Sequence, residues 1–344
     1  MSLRITGKLP SGSHASVLKQ SKNFAGKAFQ NLSPTPMMAE DASYWKMVCD
    51  FFRKNKSAAP PAILPSVKTD LSQLQFDSPA IVWFGHSSYL IRVGEKNFLI
   101  DPVFSGYAAP LSFMVKAFPG SDIYKSSDMP EIDYLILTHD HYDHLDYGTI
   151  RQLKGRVKRI YCSLGISSHL VYWGMDPSII TEMDWWDETI LDDGVLLIAA
   201  PARHFSGRGL TRARTLWSSF ILKTGAYTIY IGGDSGYDTH FKTIGEKYGP
   251  FDTAILEAGQ YNKMWPLIHM MPEETVQAAL DLKAEFLLPV HWGKFSLAMH
   301  AWNEPVTRVL ARARQLSLPV VTPRIGEPVI LGKPFVGDEW WQIE

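Results

Sequence analysis

The sequence predicts an α/β fold in which β-sheets are covered by helices. Two observations carry this. Short, near-continuously apolar segments alternate with turns and with segments of helical spacing, the pattern of strands buried on both faces. The 344 residues are also 46% hydrophobic and only 20% charged, which leaves ample core for layered packing. The alternation sets in near residue 78. Residues 1–77 are therefore expected to form an N-terminal extension, partly extended and packed on the core, and residues 78–344 the main domain.

Taken in order, residues 1–35 are polar and expected to be loosely ordered. Residues 41–55 have the spacing of a helix that contributes Trp45, Val48, Phe51 and Phe52. Ser57 to Pro65 carries three prolines and three alanines and reads as an extended connector. Strands are predicted at 80–84, 88–93, 97–100, 132–137, 159–162, 196–200, 218–223, 227–231, 253–256 and 286–289. Helices are predicted near 145–154, 164–173, 238–247, 272–283 and 304–315.

Composition excludes several classes. The formal net charge of -1 gives no overall pull toward nucleic acid. Two cysteines, Cys49 and Cys162, are too few for a disulfide framework and sit in apolar contexts, so buried free thiols are expected. Met1 to Pro10 has no apolar run suited to a signal peptide, and no stretch reaches the length of a membrane span. A cytoplasmic location is the expectation. The 11 Trp, 17 Phe and 14 Tyr suit a core, but also an apolar substrate groove or a membrane interface.

The chemistry concentrates at Thr138-His139-Asp140-His141-Tyr142-Asp143-His144. Three histidines and Asp143 fall within six residues, between a buried strand and a helix. Imidazole and carboxylate are ligands for zinc and similar ions. A tight loop there can aim His139 and His141 at one metal, and Asp143 and His144 at a second. A solvent-facing polar loop is the bland alternative. His204, Asp234 and His291 each follow the end of another predicted strand, where loops of a sheet converge. Singly, each could be structural; the recurrence is what carries weight. Gly232, Gly233 and Gly236 are expected to let the backbone pass close to a bound ion.

The set His139-x-His141-x-Asp143-His144, His204, Asp234 and His291 resembles the metallo-β-lactamase superfamily. The stretches 141–147, 184–188, 233–237, 247–252, 269–274 and 291–295 resemble its N-acylphosphatidylethanolamine-hydrolysing phospholipase D family. The resemblance spans roughly residues 25–330. It implies an αββα sandwich, two mixed sheets packed face to face and covered by helices. It also implies that His139, His141 and His204 hold one zinc and Asp143, His144 and His291 the other, with Asp234 bridging; manganese and iron are alternatives. The di-iron relatives that reduce oxygen carry a carboxylate where His141 stands, so this chain departs from them.

The implied activity is a phosphodiesterase of the phospholipase D type, in which a metal-bridging hydroxide attacks phosphorus. A phospholipid or other phosphodiester would be the substrate, with peripheral membrane contact, and a homodimer is suggested by the resemblance alone. The family places a functional histidine where His269 lies, as proton donor or phosphate contact. Its position ahead of a helix N-terminus predicts that the dipole disfavours a positive ring. Asp101 and His86 are expected to brace the metal loop. Tyr142 and Arg208 are candidate substrate contacts, with Arg212 and Arg214 in the same insertion. The apolar segment 107–118 suits a groove wall, a bilayer contact or core packing. The alternatives for function are a lactonase or other small-ester or phosphoester hydrolase of the same fold, and a metal-binding scaffold without turnover.

Overall fold

Among the described residues, seven strands form one sheet and six form another, and alternate residues of both meet between them. In the computed structural model, which describes residues 2–40, 43 and 56–343, a small hairpin pairs β1 (Phe24–Ala25) with β2 (Ala28–Phe29). The first sheet contains β3 (Ala80–Trp83), β4 (Tyr89–Val93), β5 (Lys96–Ile100), β6 (Ile132–Leu137), β7 (Val157–Ser163) and β8 (Ile180–Met183). The second contains β9 (Glu188–Ile190), β10 (Leu196–Pro201), β11 (Ser218–Lys223), β12 (Thr228–Ile231), β13 (Thr253–Glu257) and β14 (Leu287–Val290). The last strand, β15 (Pro328–Ile330), returns to the first sheet beside β3.

The period-2 geometry of a strand sorts the apolar residues. Ile81, Trp83, Ile91, Phe98, Ile100 and Ile136 face Leu197, Phe220, Leu222, Ile229, Ile231 and Leu288 in one cluster between the sheets. The intervening residues Val82, Leu90, Leu99, Leu135 and Leu137 pack outward under Ile150, Leu153 and Leu170. On the other side Ile198, Ile221, Tyr230, Ala254 and Leu256 pack under Phe241, Ile244, Val276 and Val309. Strands apolar on both faces and helices on both outer sides give the αββα sandwich the resemblance implied.

Strand direction then decides where loops meet. β5, β6 and β7 are mutually parallel, and β3 runs with β5 because each is antiparallel to β4. β12, β13 and β14 are parallel, and β10 runs with β12 through antiparallel β11. The carboxyl ends of each set therefore lie on one edge of its sheet.

Two expectations need correction. Residues 2–35 are not loosely ordered: they form helices Ser2–Ile5 and Gly12–Leu18 and the β1–β2 hairpin. Distant partners fix them. Trp173 Nε1 donates to Arg4 O at 2.7 Å, His14 lies 2.8 Å from Glu182, and Leu18 and Phe29 are buried with Trp185 and Trp217. The strands β8, β9 and β15 were not foreseen; they are short and partly exposed, so no apolar run announces them. The expected helix at 41–55, with Trp45, Val48, Phe51, Phe52 and Cys49, lies outside the described residues. Cys162 is a buried free thiol. Among the described residues no helix is long and apolar enough to cross a membrane.

Candidate metal centre and active site

All seven predicted donors come together at this edge. The strand end after β6 delivers His139, His141, Asp143 and His144; those after β10, β12 and β14 deliver His204, Asp234 and His291. His139 Nε2 and His204 Nε2 approach His141 Nδ1 at 2.9 and 3.2 Å. Asp234 Oδ2 lies 3.7 Å from both His139 Nε2 and His204 Nε2. Its other oxygen, Oδ1, is 3.1 Å from His144 Nε2. Three groups thus have donor atoms close enough for an ion: His139, His141, His204 and Asp234; His86, Asp143, His144 and His291; and Asp234, Glu257, His269 and His291.

The donor chemistry fits divalent cations. Donors on a tetrahedral zinc stand roughly 3.3 Å apart, given bonds of about 2.0 Å to nitrogen, close to the separations here. Burial holds His139, His204 and His291 well below the usual imidazole range, so their lone pairs are free at neutral pH. Burial also opposes charge on His144, but Asp234, Asp143 and Asp101 surround it and hold it well above that range. Anionic charge is therefore concentrated where a cation would sit. Buried His144 Nε2, His291 Nε2 and Asp234 Oδ1 have no hydrogen-bond partner among the described residues. Such orphaned polar atoms are rare in folded proteins, and these three belong to candidate donor side chains.

A second layer orients the rings. Asp101 accepts from Thr138 N and Thr138 Oγ1 and pairs with His144 Nδ1 at 2.7 Å. His86 Nε2 lies 2.9 Å from Asp143 Oδ2, Ser87 Oγ 2.8 Å from His291 Nδ1, and Ile268 O 2.7 Å from His204 Nδ1. His86, Asp101 and His291 all have positive φ, of 54°, 39° and 67°. For residues with a Cβ this backbone is costly and clusters at functional sites. Asp101→Ala is expected to weaken metal binding about 10–100-fold, the usual effect of losing such a partner; chelator competition measures it.

Asn31 was not foreseen. Its side chain clasps the backbone of His204 in both directions, Nδ2 donating to His204 O at 2.8 Å and Oδ1 accepting from His204 N at 3.0 Å. Glu257, the last residue of β13, was also missed. Only 1% of its side chain is exposed, and its Oε2 is 3.1 Å from His269 Nδ1. Glu257 corrects the expectation for His269. Burial would lower the ring's pKa, and the helix Pro272–Asp281 begins just beyond it. The Glu257 carboxylate beside Nδ1 outweighs both, raising His269 to about 9, because it is in direct contact with the ring while a helix end presents only about half a charge. Burial in turn pushes Glu257 up to about 7.

A cavity of about 210 Å³ opens on the donors, lined among others by His141, Asp143, Asp234, Gln260, His269 and His291. Tyr142 and Arg208 are not in its wall. Arg208 is buried and donates to Asp140 O, Leu145 O and Ile5 O, with its guanidinium 4.0 Å from the Tyr142 ring centre. Tyr142 donates to Arg208 O. Both brace the metal loop. Arg208→Met is expected to destabilise the fold by about 3 kcal/mol, since three buried carbonyls lose charged donors; the denaturant midpoint reports it. The glycines also differ from expectation. A Cβ at Gly232 or Gly236 would lie 2.5 Å from Ile255 O or 2.0 Å from Leu267 O, so close backbone packing, not an ion, demands them.

The sheets, the strand-end donors and the second layer define the class. A family model described as "Beta-lactamase superfamily domain" matches residues 96–292, more than half of the chain. The chain belongs to the metallo-β-lactamase superfamily. It is 36% identical over 332 residues to the Mycobacterium tuberculosis protein Rv0906, covering 95% of this chain and 89% of that one. It is 30% identical over 227 residues to N-acyl-phosphatidylethanolamine-hydrolyzing phospholipase D 1 of Caenorhabditis elegans, covering 62% of this chain and 64% of the relative. The solved structure of Igni18, a metallo hydrolase of Ignicoccus hospitalis, superposes with a TM-score of 0.57 at 20% identity, over 75% of this chain and all of that one. That likeness is one of fold.

Proposed function

We propose that this metal-dependent hydrolase is a phosphodiesterase of the phospholipase D type, acting on phospholipids like N-acylphosphatidylethanolamine. One observation carries the reading: two donor groups meet at Asp234 under a cavity whose wall also carries His269. The relatives in Caenorhabditis elegans and Saccharomyces cerevisiae named as hydrolysing that lipid support it. We assign His139, His141 and His204 to one ion, Asp143, His144 and His291 to the other, and Asp234 to both, with zinc as the metal and manganese or iron as alternatives. Such ions supply nucleophilic hydroxide from water at neutral pH and offset phosphate charge.

The chain's own groups do the rest. Asp143 is a metal donor that His86 keeps oriented. His269 holds a phosphate oxygen or gives its proton to the leaving alkoxide. Phe205, Trp265, Ile268 and Leu297 give one part of the cavity wall apolar surface, which suits a lipid alcohol beside the polar donors. A groove of about 590 Å³ shares His204, Phe205 and Ile268 with the cavity and continues along Phe29, Met37 and Trp217, giving space for the alcohol arm. Arg212, with its guanidinium 5.3 Å from the Phe205 ring centre, stands in that groove. Segment 107–118 leaves Leu111, Phe113 and Met114 exposed, Phe113 by 71%, which suits contact with a bilayer surface. Residues 78–344 serve as the catalytic domain, and described residues of the extension, such as Arg4, Leu18 and Phe29, pack against it.

The test is hydrolysis of a mixed phospholipid pool by purified protein in water labelled with oxygen-18, followed by mass spectrometry. Label is expected in the phosphatidate, because hydroxide attacks phosphorus. Label in the released alcohol would mean attack on carbon and would overturn the mechanism.

A further inference from the structure

We infer that Glu257 is a positioning residue that fixes a proton on His269 Nδ1 and so makes Nε2 the atom that exchanges a proton with substrate. The inference rests on the phosphodiesterase reading for its substrate but on geometry for the dyad. Glu257 ends β13 beside Val290 of β14, in the same strand-end position that supplies Asp234 and His291. Each of its oxygens has a separate duty. Oε1 accepts from Met270 N at 2.8 Å and Oε2 faces His269 Nδ1 at 3.1 Å. The backbone N–H of Met270 can only donate, so Glu257 is held in this orientation. A carboxylate only accepts. Nδ1 therefore carries a hydrogen whether the ring has one proton or two.

The ring itself is held by its neighbours. Its centre lies 5.3 Å from that of His291, nearly parallel, and 5.0 Å from that of His204. These two residues belong to different donor groups, and His269 shares the cavity wall with both; with Nδ1 committed to Glu257, Nε2 is the ring nitrogen left for substrate. The proton path then balances. As the new oxygen–phosphorus bond forms and the bond to the lipid alcohol breaks, the electron pair leaves on the alcohol oxygen. Nε2–H gives its proton to that oxygen, and the ring remains neutral with its hydrogen on Nδ1. Solvent returns the Nε2 proton.

Glu257→Gln tests this without changing side-chain shape. The amide oxygen must keep accepting from Met270 N, which places the amide NH₂ against His269 Nδ1. Nδ1 must then accept, and the hydrogen moves to Nε2, which can no longer pass a proton on and stay neutral. Nitrogen-15 NMR of ring-labelled histidine in the zinc-loaded protein reads this directly, the His269 signals being those absent from His269→Ala. In the unaltered protein, at a pH where the ring is neutral, the protonated nitrogen is expected to be Nδ1; in Glu257→Gln it is expected to be Nε2. Metal content should not change.

Turnover supplies the second readout. Glu257→Gln is expected to lose about 10²-fold or more in kcat on a diester with an alkyl leaving group, the scale of general acid catalysis. On a p-nitrophenyl diester, whose leaving group needs no proton, the loss should be less than about threefold. An Nε2–H ring in the unaltered protein overturns the inference, even if the variant fails to fold. So does a fall in zinc content in the variant, which would make Glu257 a ligand, or an equal loss on both substrates. Absence of all phosphodiester turnover with the expected NMR result would instead reject the substrate reading and leave the dyad standing.

Discussion

Replacing Asp234 with alanine is expected to lower metal content in both halves of the site at once. The residue stands between the two donor groups, 3.7 Å from His139 and His204 through one oxygen and 3.1 Å from His144 through the other. Its removal also leaves a raised His144 among fewer anions, next to Asp143 and Asp101 only. Turnover should fall by about 10³-fold or more, the scale on which a lost electrostatic stabiliser acts. Metal analysis after gel filtration, with activity on a generic phosphodiester, checks both. Full occupancy with normal turnover would remove Asp234 from the centre of the site.

His269→Ala is expected to behave in the opposite way toward metal. Its Nδ1 is committed to Glu257, and its ring lies beside the ligand histidines rather than among the first two donor groups. Metal content should hold. Turnover should fall by about 10²–10⁴-fold, as when a general acid or base is lost. Loss of a buried partner for Glu257 will also cost stability, so the melting temperature must be followed alongside. A variant that is folded, metal-loaded and as active as the parent would make His269 structural.

Most of the sandwich was legible because its strands are buried on both faces. Runs such as Ile132 to Leu137 or Ser218 to Lys223 have no other way to satisfy so much apolar surface, and all ten predicted strands occur with ends shifted by a few residues. The clustering of the seven candidate donors was legible for a related reason: each interrupts or follows such a run with a residue type that a core does not tolerate unpaired. Glu257 met the same criterion, a carboxylate closing the run Thr253 to Leu256, and could have been found by applying it. Its effect on His269 could not, because the helix dipole is visible in sequence and a buried charge 12 residues away is not. Arg208 misled for the converse reason. An arginine in a polar insertion suggests phosphate, and nothing local reveals that backbone carbonyls at positions 5, 140 and 145 consume its donors.

The clasp of Asn31 on His204 has a consequence for how the protein is made. Those two residues are 173 positions apart, and the donors themselves extend to His291 near the far end of the chain. The clasp cannot form until the ribosome has passed position 204, nor the complete donor set until it has passed position 291. Closure over such long separations is slow, because chain entropy must be given up before the contacts form. Ion capture is thus tied to the last stages of folding, and an early fragment offers at most the loop 139–144 as a weak chelator. Once the ends have met, bound ions favour the native state over every unfolded one by mass action. Metal-loaded protein should then unfold at a higher temperature than metal-stripped protein, so that the bound ion reports that distant parts of the chain have been assembled.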